Sequence, residues 1–243
     1  MIEFQLDAWA AWAPGLDSAE AWRAWALRPT LPIGQAEPDV SEVPAMVRRR
    51  MSALTRMALH VASRACAGFE TGSLPIVLAS RHGEVQASLA MMRDILAQRD
   101  LSPTTFSHSI HNAPAGQLSI YSRNHAPSSS VAGMGATFEA GLVEALGLAE
   151  RSRSDRVLLV AADLPLPREY SNFADEPQVS HAVALLLRVG GSTPDLRLDV
   201  SERPQVRPSE LPRALDFLAW HLLHLRAWSA PGGAIAVRRL DIC

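Results

Sequence analysis

Ser128-Ser129-Ser130-Val131-Ala132-Gly133-Met134-Gly135-Ala136-Thr137 is the stretch on which the reading of this chain turns. A short β-prone run enters two closely spaced glycines and leaves as a periodic, small-residue segment over 136–148. A strand, a sharp turn and an amphipathic helix expose a nucleophile at a helix start, where the helix dipole and free N–H groups favour an anion. That geometry puts the reactive side chain at position 135, and Gly135 has none.

Outward from the elbow, the sequence alternates strands and helices. Upstream lie a hydroxyl-rich passage over 102–111, a tightening at Asn112-Ala113-Pro114-Ala115-Gly116 and a pause at His125-Ala126-Pro127. The continuous apolar runs 74–80, 156–162 and 181–187 read as strands buried on both faces. Residues 4–13 alternate like a strand, and 18–26 suit a short helix capped by Ser18. Ser41 is expected to cap a helix reaching about residue 67, with Met46, Met51, Leu54, Ala58, Ala62 and Ala65 at helical spacing. A further helix is expected over 84–98, carrying Val85, Leu89, Met92 and Leu96 on one side. After the third buried run, 196–200 reads as an exposed strand, 210–228 as a helix capped by Ser209, and 234–237 as a last strand. The pattern predicts one α/β domain over 1–243, with a mixed, mostly parallel sheet and helices on both faces.

Composition narrows the function. With 243 residues, 48% of them hydrophobic, the chain can bury a full core, and a net charge of −2 gives no reason to expect nucleic acid. Two cysteines, Cys66 and Cys243, are too few for a disulfide framework. No leader-like N-terminus and no long uncharged run is seen, so the expectation is a soluble, cytoplasmic protein without a membrane span.

No catalytic arrangement is complete in the sequence. Gly133-Met134-Gly135 lacks the lysine and third glycine of a phosphate loop. His108 and His111 are three apart with no further ligand nearby in sequence, so neither metal nor cofactor is expected. Ser129, Ser130 and Thr137 are hydroxyls near the elbow, and His82, His108 and His111 are candidate bases, which keeps a stand-alone acyltransferase or thioesterase open. Hydroxyls in a turn and on a strand, and hydrogen-bonded structural histidines, are the simpler account. Arg48, Arg49, Arg50 and Arg56 read as a solvated face, with an acidic carrier protein as their functional alternative.

Ser102-Pro103, Ile110-His111-Asn112, Ala115-Gly116, Leu118, Ile120, Pro127, Gly135 and Ala145 together carry a resemblance, without a gap, to the β-ketoacyl-acyl carrier protein synthases. That family runs Ser-Pro, Asn-x-x-Ala-Gly-x-Leu, Gly-Pro, a strand, then Thr-Ala-Cys and a helix. Ala126 replaces its glycine before Pro127, and Gly133-Met134-Gly135 stands where Thr-Ala-Cys is expected. The strand ending in Gly-Gly-x-Glu corresponds to 156–164, with Ala161-Ala162-Asp163 at its end. The resemblance covers about residues 46–189 and implies a thiolase-like fold, the N-terminal half of a ketosynthase, with 190–243 as a strand–helix–strand extension and the C-terminal half absent.

Two departures shape what the resemblance implies. The acyl-accepting cysteine falls on Gly135, and glycine forms no thioester. The two histidines and the lysine of the family's second half have no counterpart after residue 189. The chain is therefore similar to a chain length factor, the non-catalytic subunit paired with an active ketosynthase, most like those of aryl polyene and xanthomonadin-type pigment pathways. On that resemblance Ser128, Ser129 and Ser130 lie in a strand that pairs with the partner subunit. Asn112 belongs to the same interface, and Thr105, Phe106, His108, Met134 and Phe138 shape the far end of the partner's acyl tunnel. The acyl carrier protein would be met through that heterodimer.

Overall fold

Buried runs whose alternate residues serve opposite sides build the centre of the molecule. Val157, Leu159 and Ala161 enter one core while Leu158, Val160 and Ala162 enter the other, and 182–187 divides in the same way. The structure, a computed structural model, describes residues 1–191, 193–200, 210–230 and 234–240. In chain order the elements are β1 (Ile2–Trp12), α1 (Ala19–Ala26), α2 (Ala45–Arg48), α3 (Ala53–Ala65), β2 (Ile76–Ala79), α4 (Val85–Leu96), α5 (Pro103–His108), α6 (Ala113–Tyr121), β3 (Ser128–Val131), α7 (Thr137–Ser152), β4 (Arg156–Asp163), β5 (His181–Val189), β6 (Leu196–Val200), α8 (Arg213–Leu222), β7 (Ala227–Ser229) and β8 (Ile235–Arg239).

The eight strands form one sheet in the order β3-β2-β4-β5-β1-β6-β8-β7. The expected mixed sheet with helices on both faces is present, but it is not mostly parallel. Only β2 with β3 and β2 with β4 run parallel, and the other five pairings are antiparallel. Strand direction is absent from a buried apolar run, and β1 inserts antiparallel between β5 and β6. One face carries α1, α7 and α8 through Trp22, Leu142, Leu146, Leu215 and Phe217; the other carries α3 and α6 through Leu54, Met57, Val61 and Leu118. Burying such side chains contributes about 1.5–3 kcal/mol each.

Local competition explains the changed helix boundaries. The helix expected from Ser41 is broken, because Ser52 offers a second cap: its Oγ accepts from the Thr55 N–H at 3.0 Å. Met46 consequently lies on the one-turn α2 and is 74% exposed, outside the core it was expected to join. The helix expected over 210–228 stops at Leu222, and His224 at φ 52° turns the chain so that Trp228 enters β7. Its expected cap, Ser209, lies outside the described residues, as does Cys243. Leu196 and Leu198, expected on an exposed strand, are buried because β6 lies between β1 and β8. Among the described residues, no helix is long and apolar enough to cross a membrane.

Two features set the height and edge of the elbow. A Cβ added to Gly141 would come 2.6 Å from Ala79 Cβ, so glycine lets α7 lie directly against β2. At one margin of the sheet, β3 pairs only with β2 among the described residues, which leaves its other edge without a strand partner there. α4 has no fully buried residue, with Met92 40%, Ile95 54% and Leu96 84% exposed, so the expected apolar stripe is not covered by the described residues.

Candidate functional site

The parallel strands β2 and β4 end side by side, where open α/β sheets place their sites. β3 runs into Gly133, a short 3-10 turn over Met134–Ala136 follows, and α7 begins. Thr137 ties this turn together: its Oγ1 accepts from the Gly133 N–H at 2.9 Å and donates to the Met134 carbonyl at 2.8 Å. The hydroxyl is thus committed to holding the elbow.

A side chain at 135 would point at charge. A Cβ built on Gly135 would lie 3.7 Å from Arg81 Nη2 and 3.8 Å from Asp175 Oδ2. Arg81, with its side chain 3% exposed, pairs with Asp175 and reaches Glu176 at 3.3 Å. From the start of α8, Arg213 reaches Glu139 at 3.7 Å, donates its backbone N–H to Glu176 at 3.3 Å and directs Nε at the Gly135 carbonyl at 3.5 Å. Asp163, at the end of β4, accepts from Ser80 Oγ at 3.0 Å and from the N–H groups of Arg81 at 2.9 Å and His82 at 3.3 Å. The cavity left among Arg81, Thr137, Asp163, Glu176, His181 and Arg213 is about 10 Å³. At most one water fits such a space. An acyl group does not.

The electrostatics follow from three acids, Glu139, Asp163 and Glu176, and two arginines, Arg81 and Arg213, largely withdrawn from water. Burial pushes Asp163 up to about 6; the charge of His181 and the hydrogen bonds from Ser80 and His82 oppose the shift, and Glu176 adds to it. Burial also raises Glu139, against the pull of Arg213 and Arg81. His82 is lowered by burial and then by Arg81, which keeps its imidazole neutral at higher acidity than usual.

The candidate residues occupy different places around this centre. Ser128, Ser129 and Ser130 lie on the free-edged β3, and Ser128 is exposed. Thr105, Phe106 and His108 lie on α5, which a Ser88 Oγ hydrogen bond to the Ser109 carbonyl holds beside α4; Phe106 is 58% exposed. Asn112 is exposed at the start of α6, and Met134 is 78% exposed. Phe138 is the correction in this set. Its ring packs inside the molecule, 5.1 Å from Phe217 and 5.8 Å from Trp228, because the first turn of α7 faces α8. It therefore cannot line a partner's tunnel.

Among the described residues, the hydroxyl candidates for an alternative nucleophile are not hydrogen-bonded to a candidate base. His111 Nε2 lies 2.8 Å from the Ser80 carbonyl, and His82 Nε2 is buried without a partner. Among the described residues, no hydrogen bond joins these rings to Ser129, Ser130 or Thr137. Sequence reasoning missed Arg81, Asp163, Glu176 and Arg213 as a unit. Arg81 and Asp163 were legible at strand ends, whereas Glu176 and Arg213 arrive from a loop and from α8.

The family model described as "Beta-ketoacyl synthase, N-terminal domain" matches residues 22–234. This chain belongs to the β-ketoacyl synthase N-terminal domain family. Within it, the chain is similar to a chain of the ketosynthase (ApeO) in complex with its chain length factor (ApeC) from Xenorhabdus doucetiae. The identity is 30%, 98% of this chain and 99% of that chain are covered, and the TM-score is 0.84. The fold is shared with the ishigamide ketosynthase/chain length factor, at 15% identity, 82% and 68% coverage and a TM-score of 0.67. It is shared as well with a β-ketoacyl synthase from Burkholderia phymatum STM815, at 14% identity, 93% and 71% coverage and a TM-score of 0.61. No curated protein matches the chain.

Proposed function

We propose that this chain is a non-catalytic chain length factor. It forms a heterodimer with an active β-ketoacyl-acyl carrier protein synthase and shapes that enzyme's acyl tunnel during polyene, polyketide or fatty-acid-like elongation. The observation that carries this reading is the elbow itself. Gly135 occupies the position the family gives to its cysteine, and the space before it holds the ion pairs of Arg81 with Asp175 and Glu176, with Arg213 paired to Glu139 beside them. A site with no nucleophile and room for no acyl group has no route to a thioester intermediate.

The surroundings support a partner. β3 presents an unpaired strand edge, which isolated proteins ordinarily cover or blunt. Elsewhere on the surface α4 and α5 expose Met92, Ile95, Leu96 and Phe106. Thr105, Phe106, His108, Asn112, the β3 serines and Met134 form the proposed contact, with Phe106 and Met134 limiting chain growth by bulk. The 30% identical structure is itself a ketosynthase with its chain length factor, which favours a ketosynthase as the partner.

Co-expression with the genome-neighbouring ketosynthase tests the proposal. The two chains should co-migrate at micromolar concentration, and the synthase alone should lose activity or product-length control. Separate migration with an unchanged synthase would sink the idea. Intact-mass analysis after incubation with an acyl carrier protein thioester should leave this chain unmodified; an acyl adduct would favour the hydroxyl-nucleophile acyltransferase or thioesterase.

A further inference from the structure

The elbow uses its glycines in an unusual order. Gly133 has φ −129°, and Gly135 is likewise outside the left-handed region. The left-handed residue is the one between them, Met134 at φ 52°. Glycine adopts this conformation without steric cost, whereas an L-residue with a Cβ does so under strain.

The other left-handed non-glycine residues among those described have a local reason. Gln98, Arg123, Arg153 and His224 each follow the end of a helix, α4, α6, α7 and α8 respectively, where a left-handed residue commonly closes the last turn. Met134 opens a helix instead. Packing within the chain does not compensate for it, since the side chain is 78% exposed. An apolar side chain is thus held out, in a strained backbone, three residues beyond the end of the free-edged β3. Such strain persists where it serves a contact, and that contact lies outside this chain.

We infer that Met134 is the anchor side chain of the heterodimer, inserted into an apolar pocket of the ketosynthase beside the paired strand edge. The inference rests on the heterodimer reading above. It singles out the ketosynthase because Met134 lies three residues beyond β3, whose free edge the heterodimer reading gives to that partner. An unbranched thioether also fits a cavity shaped for an aliphatic chain.

Met134→Ala and Met134→Gly, measured by calorimetric titration into the ketosynthase and by thermal unfolding of the free chain, test the assignment. Both variants should weaken the heterodimer at least tenfold, as loss of a central anchor does. The free chain should keep its midpoint within ~2 °C for Met134→Ala and show no fall for Met134→Gly, since glycine accepts this backbone. Less than a tenfold loss for Met134→Ala with wild-type binding intact overturns the anchor alone and leaves the heterodimer standing. A lowered midpoint for Met134→Gly also overturns it, because the side chain would then serve this chain's own fold. Failure of the wild-type chain to bind the ketosynthase overturns both readings.

Discussion

Replacing Asp163 by asparagine should change how the fold responds to pH. Three donors, Ser80 Oγ and the N–H groups of Arg81 and His82, converge on Asp163 Oδ1, and an asparagine oxygen can accept all three. Burial is the main reason that its pKa stands at about 6 against an ordinary 3.8. A shift of about two units corresponds to ~3 kcal/mol between protonation states. The folded pKa lies above the unfolded one, so the folded chain binds the additional proton between about pH 4 and pH 6. This group's stabilising contribution is complete below 3.8 and is lost as pH rises through about 6. Asparagine resembles the protonated acid at every pH. Urea unfolding followed by tryptophan fluorescence, run on wild type and Asp163→Asn from pH 4.5 to 7.5, should show the variant gaining on wild type by up to ~2 kcal/mol across the series, the part of the full shift that falls in this range. Two curves that stay parallel within ~0.5 kcal/mol would refute the assignment of a buried, hard-to-ionise carboxylate beside the elbow.

Other perturbations address the frame around the site. Gly141→Ala puts a methyl 2.6 Å from Ala79 Cβ, so α7 must lift from β2; a loss of ~1–3 kcal/mol is expected from chemical denaturation, with the elbow displaced in a crystal structure. For Asp7, burial favours the neutral acid, but hydrogen bonds from Arg188 and Arg156 outweigh it and hold the carboxyl below its usual range. Its stabilisation is present above the unfolded carboxylate pKa and lost as pH falls through the lower folded value. Asp7→Asn should therefore cost ~2 kcal/mol at pH 7, less than a fully buried pair because both arginines are about a third exposed, and progressively less in acid. Ser52→Ala removes the α3 cap and a donor to Glu84, and should lower stability by ~1–2 kcal/mol in the same assay.

The amino-acid sequence alone determined the strand–turn–helix unit, the three buried runs and the glycine at the elbow, because these are local. Alternation, capping residues and a glycine at 135 need no distant contact to be read. The motif order also carried the family resemblance, which the match over 22–234 bears out. Tertiary structure alone decided the rest. Strand direction depends on which neighbours a buried run meets, so five antiparallel pairings replaced a mostly parallel expectation. Phe138 stands at a helix start that could face outward or inward, and α8 turned it into the core. Arg81, Asp163, Glu176 and Arg213 lie far apart along the chain and meet only where strand ends, a loop and a distant helix converge. Sequence spacing does not encode that meeting, and it is what brings buried charge to within 4 Å of a Cβ built on Gly135.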